Sequence, residues 1–425
     1  MSIGMFKLDS IHDVVKRGLC LGCGACVSAA PEGQLRLKED PRRGLPIPIS
    51  SGSWPKRGEI PFEICPGKGM PLQELGEKLF GESLAWTPTL GRYRLAVAAH
   101  STDSELLEHA TSGAVMTAIA LDLLNHKEVD GVTVTRFVYG PAGPRPVSYI
   151  ARNRQDLLSA QGSKYCPTST NLLIRECLAD SGRYLFVGTP CQVGSLRQAC
   201  MHDDSLKKTF PYTMANFCGG FRDLRQINWL IRKFGLNPKD VTFFRHRGGG
   251  QPGSMKIEDR DGRQHIEPYP AYYSLNPISK NRRCALCIDG TGHLADFACG
   301  DAWVERFLKD RYPWSIILAR SQQAQSVIQR MQSEQLLVTT DIAVEEILYS
   351  QRSNLNSKIT RQYKRRRLMS LMGLTLPEWD VKLPVSGSYY QEIRTLILKW
   401  LSTWRLLGPI LKLRNTLRPR KLHSR

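Results

Sequence analysis

Apolar and polar residues change rhythm twice along the chain. Through residues 1–85 the apolar runs are short and broken by Gly, Pro and charge, so neither helical nor strand periodicity is sustained. From about residue 91 the rhythm becomes that of strands alternating with helices. Tyr93–Ala99 reads as a short apolar strand. Ser104–His126 reads as one helix, with Leu106, Ala110, Val115, Ile119 and Leu123 recurring at three- to five-residue spacing. Val129–Val138 and Pro146–Ala151 read as strands and Leu172–Leu178 as a helix. The strand Tyr184–Val187 turns sharply through Gly188-Thr189-Pro190-Cys191 into the next helix. Thr213–Phe217 and Val241–Arg245 are further strands, with a helix near Ile227–Phe234 between them. This alternation predicts an α/β fold with a mixed, largely parallel sheet and ligands at the strand ends. From Gln391 onward a third rhythm begins. Ile393, Leu396, Ile397, Trp400, Leu401, Trp404, Leu407 and Leu411 recur at three- and four-residue spacing, punctuated by Arg394, Lys399, Arg405, Lys412 and Arg414. That pattern predicts an amphipathic helix, kinked or restarted at Pro409.

These rhythms divide the 425 residues into segments 1–85, 91–350 and 351–425. Charge sharpens the last boundary. Residues 352–425 hold 17 Lys or Arg against Glu378, Asp380 and Glu392, a surplus of 14 within a net charge of +20. A nucleic-acid enzyme would spread its basic groups over a folded face with aromatics among them. A basic tail beside a near-balanced body points to an anionic membrane surface or a partner, and no nucleic acid is expected. No run approaches the roughly 18 apolar residues of a spanning helix. The opening MSIGMFKLDSIHDVV lacks a secretory core, so the expected location is cytoplasmic, with the tail peripheral on the inner face of the membrane.

Twelve cysteines without an export signal argue for metal ligation in a reducing compartment. Cys20, Cys23 and Cys26 stand two residues apart with Gly22 and Gly24 between them, and Cys65 is followed by Pro66. This is the bacterial ferredoxin pattern for a 4Fe–4S cluster, opened by roughly forty residues where the compact run has about three. The inserted stretch Pro41–Pro61 holds five prolines and reads as an ordered surface loop. Structural zinc is the rival, although it more often uses two well-separated ligand pairs. A second set is available in Cys191 at a helix start, Cys218 after a strand, and the pair Cys284 and Cys287. These four thiols sit on loop or element ends and are expected to meet at one edge of the sheet, and the helix start favours a lowered pKa for Cys191. Cys191 and Cys218 also read as small core residues, as do Cys166, Cys177 and Cys200. Cys299, two residues before Asp301, reads either way.

In this order the motifs resemble the beta-subunit family of coenzyme F-420 hydrogenase/dehydrogenase, which includes formate dehydrogenase beta chains and hydroxymethyl-chlorophyll reductase. The open ferredoxin motif comes first. Thr111-Ser112-Gly113 follows, with Ala114 where the family has a second glycine. Gly162-Ser163-Lys164-Tyr165, Gly188-Thr189-Pro190-Cys191-Gln192, Phe217-Cys218, Cys284-x-x-Cys287 and Ala295–Trp303 complete the series.

The resemblance implies a ferredoxin-like 4Fe–4S domain followed by a flavin-binding α/β domain. It implies FAD, one or two 4Fe–4S clusters, and electron passage between a two-electron carrier and one-electron partners such as ferredoxin. Ser112 and Gly113 at a helix start suit a pyrophosphate. Ser163 and Lys164 suit a flavin phosphate or the anionic reduced ring, and Thr189 and Pro190 form the turn beside it. Read without the family, Ser112-Gly113 is an ordinary helix start and Lys164 a solvated lysine. The implied substrate is a small organic molecule, the deazaflavin coenzyme or another acceptor, and stand-alone members accompany surface-polysaccharide assembly. No general acid is named; His246 and His293 are candidates or structural histidines. A zinc-stapled protein that binds nucleic acid or membrane without redox turnover is the competing reading.

Overall fold

The computed structural model describes residues 7–269 and 279–401, with side chains through residue 398. Trp404, Leu407, Pro409 and Leu411, and the charges Arg405, Lys412 and Arg414, lie outside the described residues. So do the side chains of Lys399, Trp400 and Leu401.

The N-terminal segment starts with the helix Ile11–Lys16, capped by Ser10, whose hydroxyl accepts from the Asp13 N–H. A second helix, Ala25–Ala29, follows the cysteine loop directly. Strands β1 (Leu35–Asp40) and β2 (Leu45–Ser50) pair as an antiparallel hairpin. The proline-rich insertion is therefore a strand where a surface loop was expected. Pro46 and Pro48 are tolerated because a two-stranded ribbon has only edges, where a missing N–H breaks no central ladder. Strand β3 (Gly69–Met70) and the helix Leu72–Phe80 lead into the body.

Among the described residues the main sheet has eight strands. In chain order they are β4 (Leu95–Ser101), β5 (Gly131–Val138), β6 (Arg145–Ala151), β7 (Tyr184–Gly188), β8 (Tyr212–Asn216), and then β12 (Phe297–Asp301), β13 (Ser315–Ala319) and β14 (Leu337–Asp341). Between β8 and β12 come β9 (Val241–Arg245), β10 (Ser254–Asp259) and β11 (Gln264–Pro268). The sheet order is β14-β4-β13-β12-β8-β7-β5-β6. The four strands β12, β8, β7 and β5 are mutually parallel, and the flanking pairings are antiparallel. This is the expected mixed sheet. Val241–Arg245 belongs elsewhere, in a separate three-stranded antiparallel sheet ordered β11-β10-β9. Five-residue apolar runs look alike in either setting, which is why periodicity alone placed it in the main alternation.

Alternation along the strands builds two apolar faces. Val97, Ala99, Phe297, Cys299, Ile317 and Ala319 face the helices Val115–Asn125 and Gln322–Ser333. Ala98, Ala298, Ile316 and Leu318 face the other side with Phe307 and Trp314. Complete burial of each large aliphatic here stabilises the fold by about 1.5–3 kcal/mol. Between β8 and β12, Asp296 accepts from the Thr213 N–H at 2.7 Å and pairs with buried Arg197 at 2.5 Å.

The helix expected over Ser104–His126 is two helices, Ser104–His109 and Val115–Asn125. The apolar spacing runs through the break, which lies at Thr111-Ser112-Gly113-Ala114. Gly113 packs so tightly on β4 that a Cβ there would lie 2.3 Å from the Ala99 carbonyl oxygen, and Ala114 takes a left-handed φ of 57°.

The C-terminal segment begins as part of the body. The helix Tyr389–Leu401 buries Glu392, which pairs with Arg361 at 2.5 Å and Arg365 at 2.7 Å. Leu396 packs against the apolar cluster around the first cysteines, whereas Ile393 and Ile397 are exposed. Glu392→Gln is expected to destabilise the fold by about 3–5 kcal/mol, because two arginines lose their counter-charge in a buried setting. An unchanged midpoint in urea would show that this helix is not anchored by the pair.

Candidate metal centres and cofactor pocket

The first cysteine set converges. Cys20, Cys23, Cys26 and Cys65 line one cavity with Gly22 and Gly67. Gly24 makes the turn possible: its φ is +89°, and a Cβ there would lie 2.7 Å from Leu172 Cγ. The Gly22 N–H donates to Cys20 Sγ at 3.4 Å, as backbone amides do around anionic sulfur. Burial first, and then mutual repulsion with Cys65, push Cys20 up to about 12 and Cys23 and Cys26 well above the usual thiol range. Four crowded, buried thiols suit a metal centre that takes them as thiolates.

The second set converges too, at the carboxyl ends of the parallel strands. Cys191 opens the helix Pro190–Ala199 after β7, and Cys218 follows β8. Cys284 lies in the short helix Arg282–Ala285, and Cys287 follows it. Burial pushes Cys191 up to about 12, and Cys218, Cys284 and Cys287 add to the effect. The helix start therefore does not lower this thiol. Gly220 donates its N–H to Cys218 Sγ at 3.3 Å, and the Cys218 N–H donates to the Gly290 carbonyl at 2.9 Å.

One residue of this set was missed in the sequence. Lys358 is 2% exposed and bonds to the Cys287 thiol, with Cys218 and Cys284 also near its ammonium. Burial raises Cys287, but Lys358 and then Arg283 outweigh it and hold this thiol below its usual value. Lys358 sits in a π-helical turn, Asn356–Thr360, and π-bulges are frequent at functional sites. Around it, Asn354 Nδ2 donates to the Gly290 carbonyl, and Gln362 Nε2 and Arg365 Nη1 donate to the Ala285 carbonyl. Asn354, Lys358, Gln362 and Arg365 thus clamp the 284–290 loop from one helical face. Their spacing of four, four and three residues is the sequence signal, hidden in a tail that composition marks only as basic.

The two nests are locked together. Cys23 and Cys191 are close enough for their charges to repel. The loop leading to Cys284 is tied to the N-terminal segment by three bonds to carbonyls: Asn281 Nδ2 to Cys20, Arg282 Nη1 to Arg17, and Arg283 Nε to Pro66. The remaining cysteines are core residues: Cys299 among the first face, Cys177 and Cys200 beneath the Pro190 helix, and Cys166 beside β9.

The expected cofactor residues fall into two groups along the carboxyl edge. Ser112-Gly113 stands beside β4 and β13, where the Gly113 N–H donates to Ser315 Oγ at 2.9 Å. Arg247, 4% exposed, donates to the Thr111 carbonyl at 2.9 Å and pairs with Asp301 at 2.5 Å. Its guanidinium lies 5.1 Å from the Tyr269 ring and 5.2 Å from the Trp303 ring. Gly162 packs on the Arg247 carbonyl, which brings Ser163 and Lys164 to the same corner. Lys164 is half-buried and donates to the carbonyls of Ala160, Gln161 and Gly162, so it is not the fully solvated lysine that composition allows. Burial pushes it down to about 7. Thr189 and Pro190 form the other group. They cap the Cys191 helix, four strand spacings or roughly 19 Å from Ser112 by sheet geometry.

His246 and His293 are both buried, and burial lowers both. Burial, then Lys164 and Arg222, push His246 down to about 3 within an aromatic box of Phe137, Tyr165 and Phe244. Burial also lowers His293, whose ring packs under Gly91.

Known proteins resemble this chain in sequence and in fold. The profile for the coenzyme F-420 hydrogenase/dehydrogenase beta-subunit N-terminus matches residues 96–175, and that for its C terminus matches 181–345, together more than half of the chain. The coenzyme F-420 hydrogenase subunit beta of Methanococcus voltae is 23% identical over 264 residues, covering 59% of this chain and 86% of its own. The coenzyme F-420-dependent sulfite reductase of Methanocaldococcus jannaschii is 26% identical over 306 residues, 68% of this chain and 43% of its own. In fold, the chain resembles one in the F-420-reducing NiFe hydrogenase complex of Methanosarcina barkeri. The TM-score is 0.54 at 19% identity, over 69% of this chain and 98% of that one. Matched along most of its sheet and both of its later cysteine loops, the chain is an oxidoreductase of the coenzyme F-420 hydrogenase/dehydrogenase beta-subunit family.

Proposed function

We propose that the chain is a flavin and iron–sulfur oxidoreductase with two 4Fe–4S clusters. Cys20, Cys23, Cys26 and Cys65 would hold one, and Cys191, Cys218, Cys284 and Cys287 the other. The observation that carries this reading is the convergence of Cys20, Cys23, Cys26 and Cys65 on one cavity and of Cys218, Cys284 and Cys287 around Cys191, whose charge also acts on Cys23. The width of the nests supports iron–sulfur over zinc. Among the described residues the metal-type ligand atoms gathered within 4.8 Å are those of Asp122, His126 and Glu334, and no cysteine trio is so tight. Four sulfurs on one zinc at 2.3 Å would lie under about 4 Å apart. That acidic trio is itself occupied, since Arg330 pairs with Asp122 at 2.5 Å.

FAD, when bound, supplies the exchange between one-electron and hydride chemistry. The turn Ser112–Ala114 would meet its pyrophosphate through backbone N–H groups at the start of the Val115 helix. Arg247 would add charge beside Tyr269 and Trp303, and Thr189 would border the cofactor next to the second nest. The relatives' names point to a deazaflavin as the organic substrate, with a ferredoxin-type carrier as the one-electron partner. Exposed Ile393 and Ile397 around Arg394 support lipid contact by the tail, tested by salt-reversible co-sedimentation with anionic vesicles.

The test is the composition of anaerobically purified protein. About eight iron, about eight sulfide and about one FAD per chain are expected from two cubane clusters and one flavin, in a brown sample. A colourless zinc protein overturns the reading. Arg247→Met is expected to weaken FAD at least about tenfold, or 1.4 kcal/mol, while iron stays unchanged. Equal loss of iron and flavin would assign Arg247 to the fold and not to the pocket.

A further inference from the structure

The two nests differ in one respect that bears on how electrons move between them. Around the first, the cations nearest the thiols are already matched. Arg43, beside Cys20, pairs with Asp40 at 3.5 Å and is 35% exposed. Lys68, beside Cys65, pairs with Glu63 at 3.3 Å and is 22% exposed. Arg283 is wholly buried between the nests and faces both Cys65 and Cys287, so it favours neither. Lys358 belongs to the second nest alone. Its charged neighbours include the Cys287, Cys218 and Cys284 thiols and the Lys280 ammonium, which also lies near Cys284, and Lys358 is 2% exposed. The clamp of Asn354, Gln362 and Arg365 on the 284–290 loop fixes its stem, which passes 3.6 Å from where a Cβ on Gly290 would stand.

We infer that Lys358 makes the second nest the electron sink of the pair, so that electrons run from the N-terminal nest through Cys23 and Cys191 toward the cofactor pocket. This rests on the two-cluster reading above. Reduction adds one negative charge to a four-thiolate centre, and a fixed ammonium at low dielectric stabilises that charge far more than a screened surface pair does. The transfer balances as one electron: the first centre is oxidised, the second is reduced, and a one-electron iron–sulfur carrier protein re-reduces the first. Lys358 is a positioning charge and not a ligand. It lies outside both matched family segments, in a stretch that composition assigns to a basic tail.

Anaerobic redox titration of the full-length protein, followed by electron paramagnetic resonance, tests this. Cys191→Ala identifies which signal belongs to the second nest. In the unmodified protein the second-nest midpoint is expected above the first. Lys358→Met is expected to lower it by at least 59 mV, a tenfold fall in the reduction constant for one electron. The first midpoint should stay in place, and Lys358→Arg should keep the original order. A second-nest midpoint below the first, or an unmoved one in Lys358→Met, overturns the inference. If Lys358→Met fails to assemble the centre, the order in the unmodified and Lys358→Arg proteins decides. About four iron per chain in the unmodified protein would instead sink the two-cluster reading itself.

Discussion

Replacing Cys191 by alanine is expected to halve the iron, from about eight to about four per chain, and to reduce carrier-to-flavin electron transfer to background. The flavin should remain. Cys191 is a thiol of the second nest whose charge also acts on Cys23, so its loss would remove a proposed ligand and a link between the nests. The backbone beneath it should survive, because Gln192 caps the helix by accepting from the Thr189 N–H at 2.9 Å and reaches Thr168 with its amide. Metal analysis and stopped-flow reduction by a low-potential ferredoxin would measure both effects. Full iron with full transfer would remove Cys191 from the ligand set.

Cys23→Ala is expected to be the more disruptive change. Loss of the first centre withdraws metal-binding free energy that is folding free energy for this segment. The damage should not stop at residue 85. Cys23 packs with Val193 and Leu196 of the Pro190 helix, and its carbonyl accepts from the Asn171 N–H at 3.2 Å. The expectation is iron below about four per chain and a loss of several kcal/mol, read as a melting temperature lower by more than about 5 °C. Normal iron content would sink the assignment. Retention of the second centre at full occupancy would show that the two segments fold independently.

That interlock was not legible in the chain. The central strands were, because Tyr184–Gly188 and Tyr212–Asn216 are largely buried apolar runs bounded by turn residues, and Gly131–Val138 is buried over its first three residues. The first nest was legible as well, since three cysteines two apart are rare outside such sites. The rest depended on contacts between distant residues. The break at Gly113 is set by β4 passing 2.3 Å from where a Cβ would stand, and periodicity cannot register a steric conflict across the sheet. Strand β2 was hidden by its prolines, and β9 by a length that suits either sheet. Arg247 and Lys358 look like unremarkable basic residues until burial sets Arg247 beside Asp301 and Lys358 beside three thiols. Net charge likewise counts Arg361 and Arg365 as exposed cations, whereas both pair with buried Glu392, which cancels one of their two charges.

The clamp on the 284–290 loop also sets an order of events during synthesis. The four thiols of the second nest have all been translated once residue 287 is added, yet the side chains that hold their loop come from Asn354 to Arg365. A nascent chain stalled between those points would present Cys284 and Cys287 on an untethered loop, open to oxygen and to adventitious metals. A cluster bound there, as proposed above, would therefore be held by its full clamp only after residue 365 has been made. Chains that terminate early in this interval would leave the ribosome as targets for proteolysis and not as half-active enzyme.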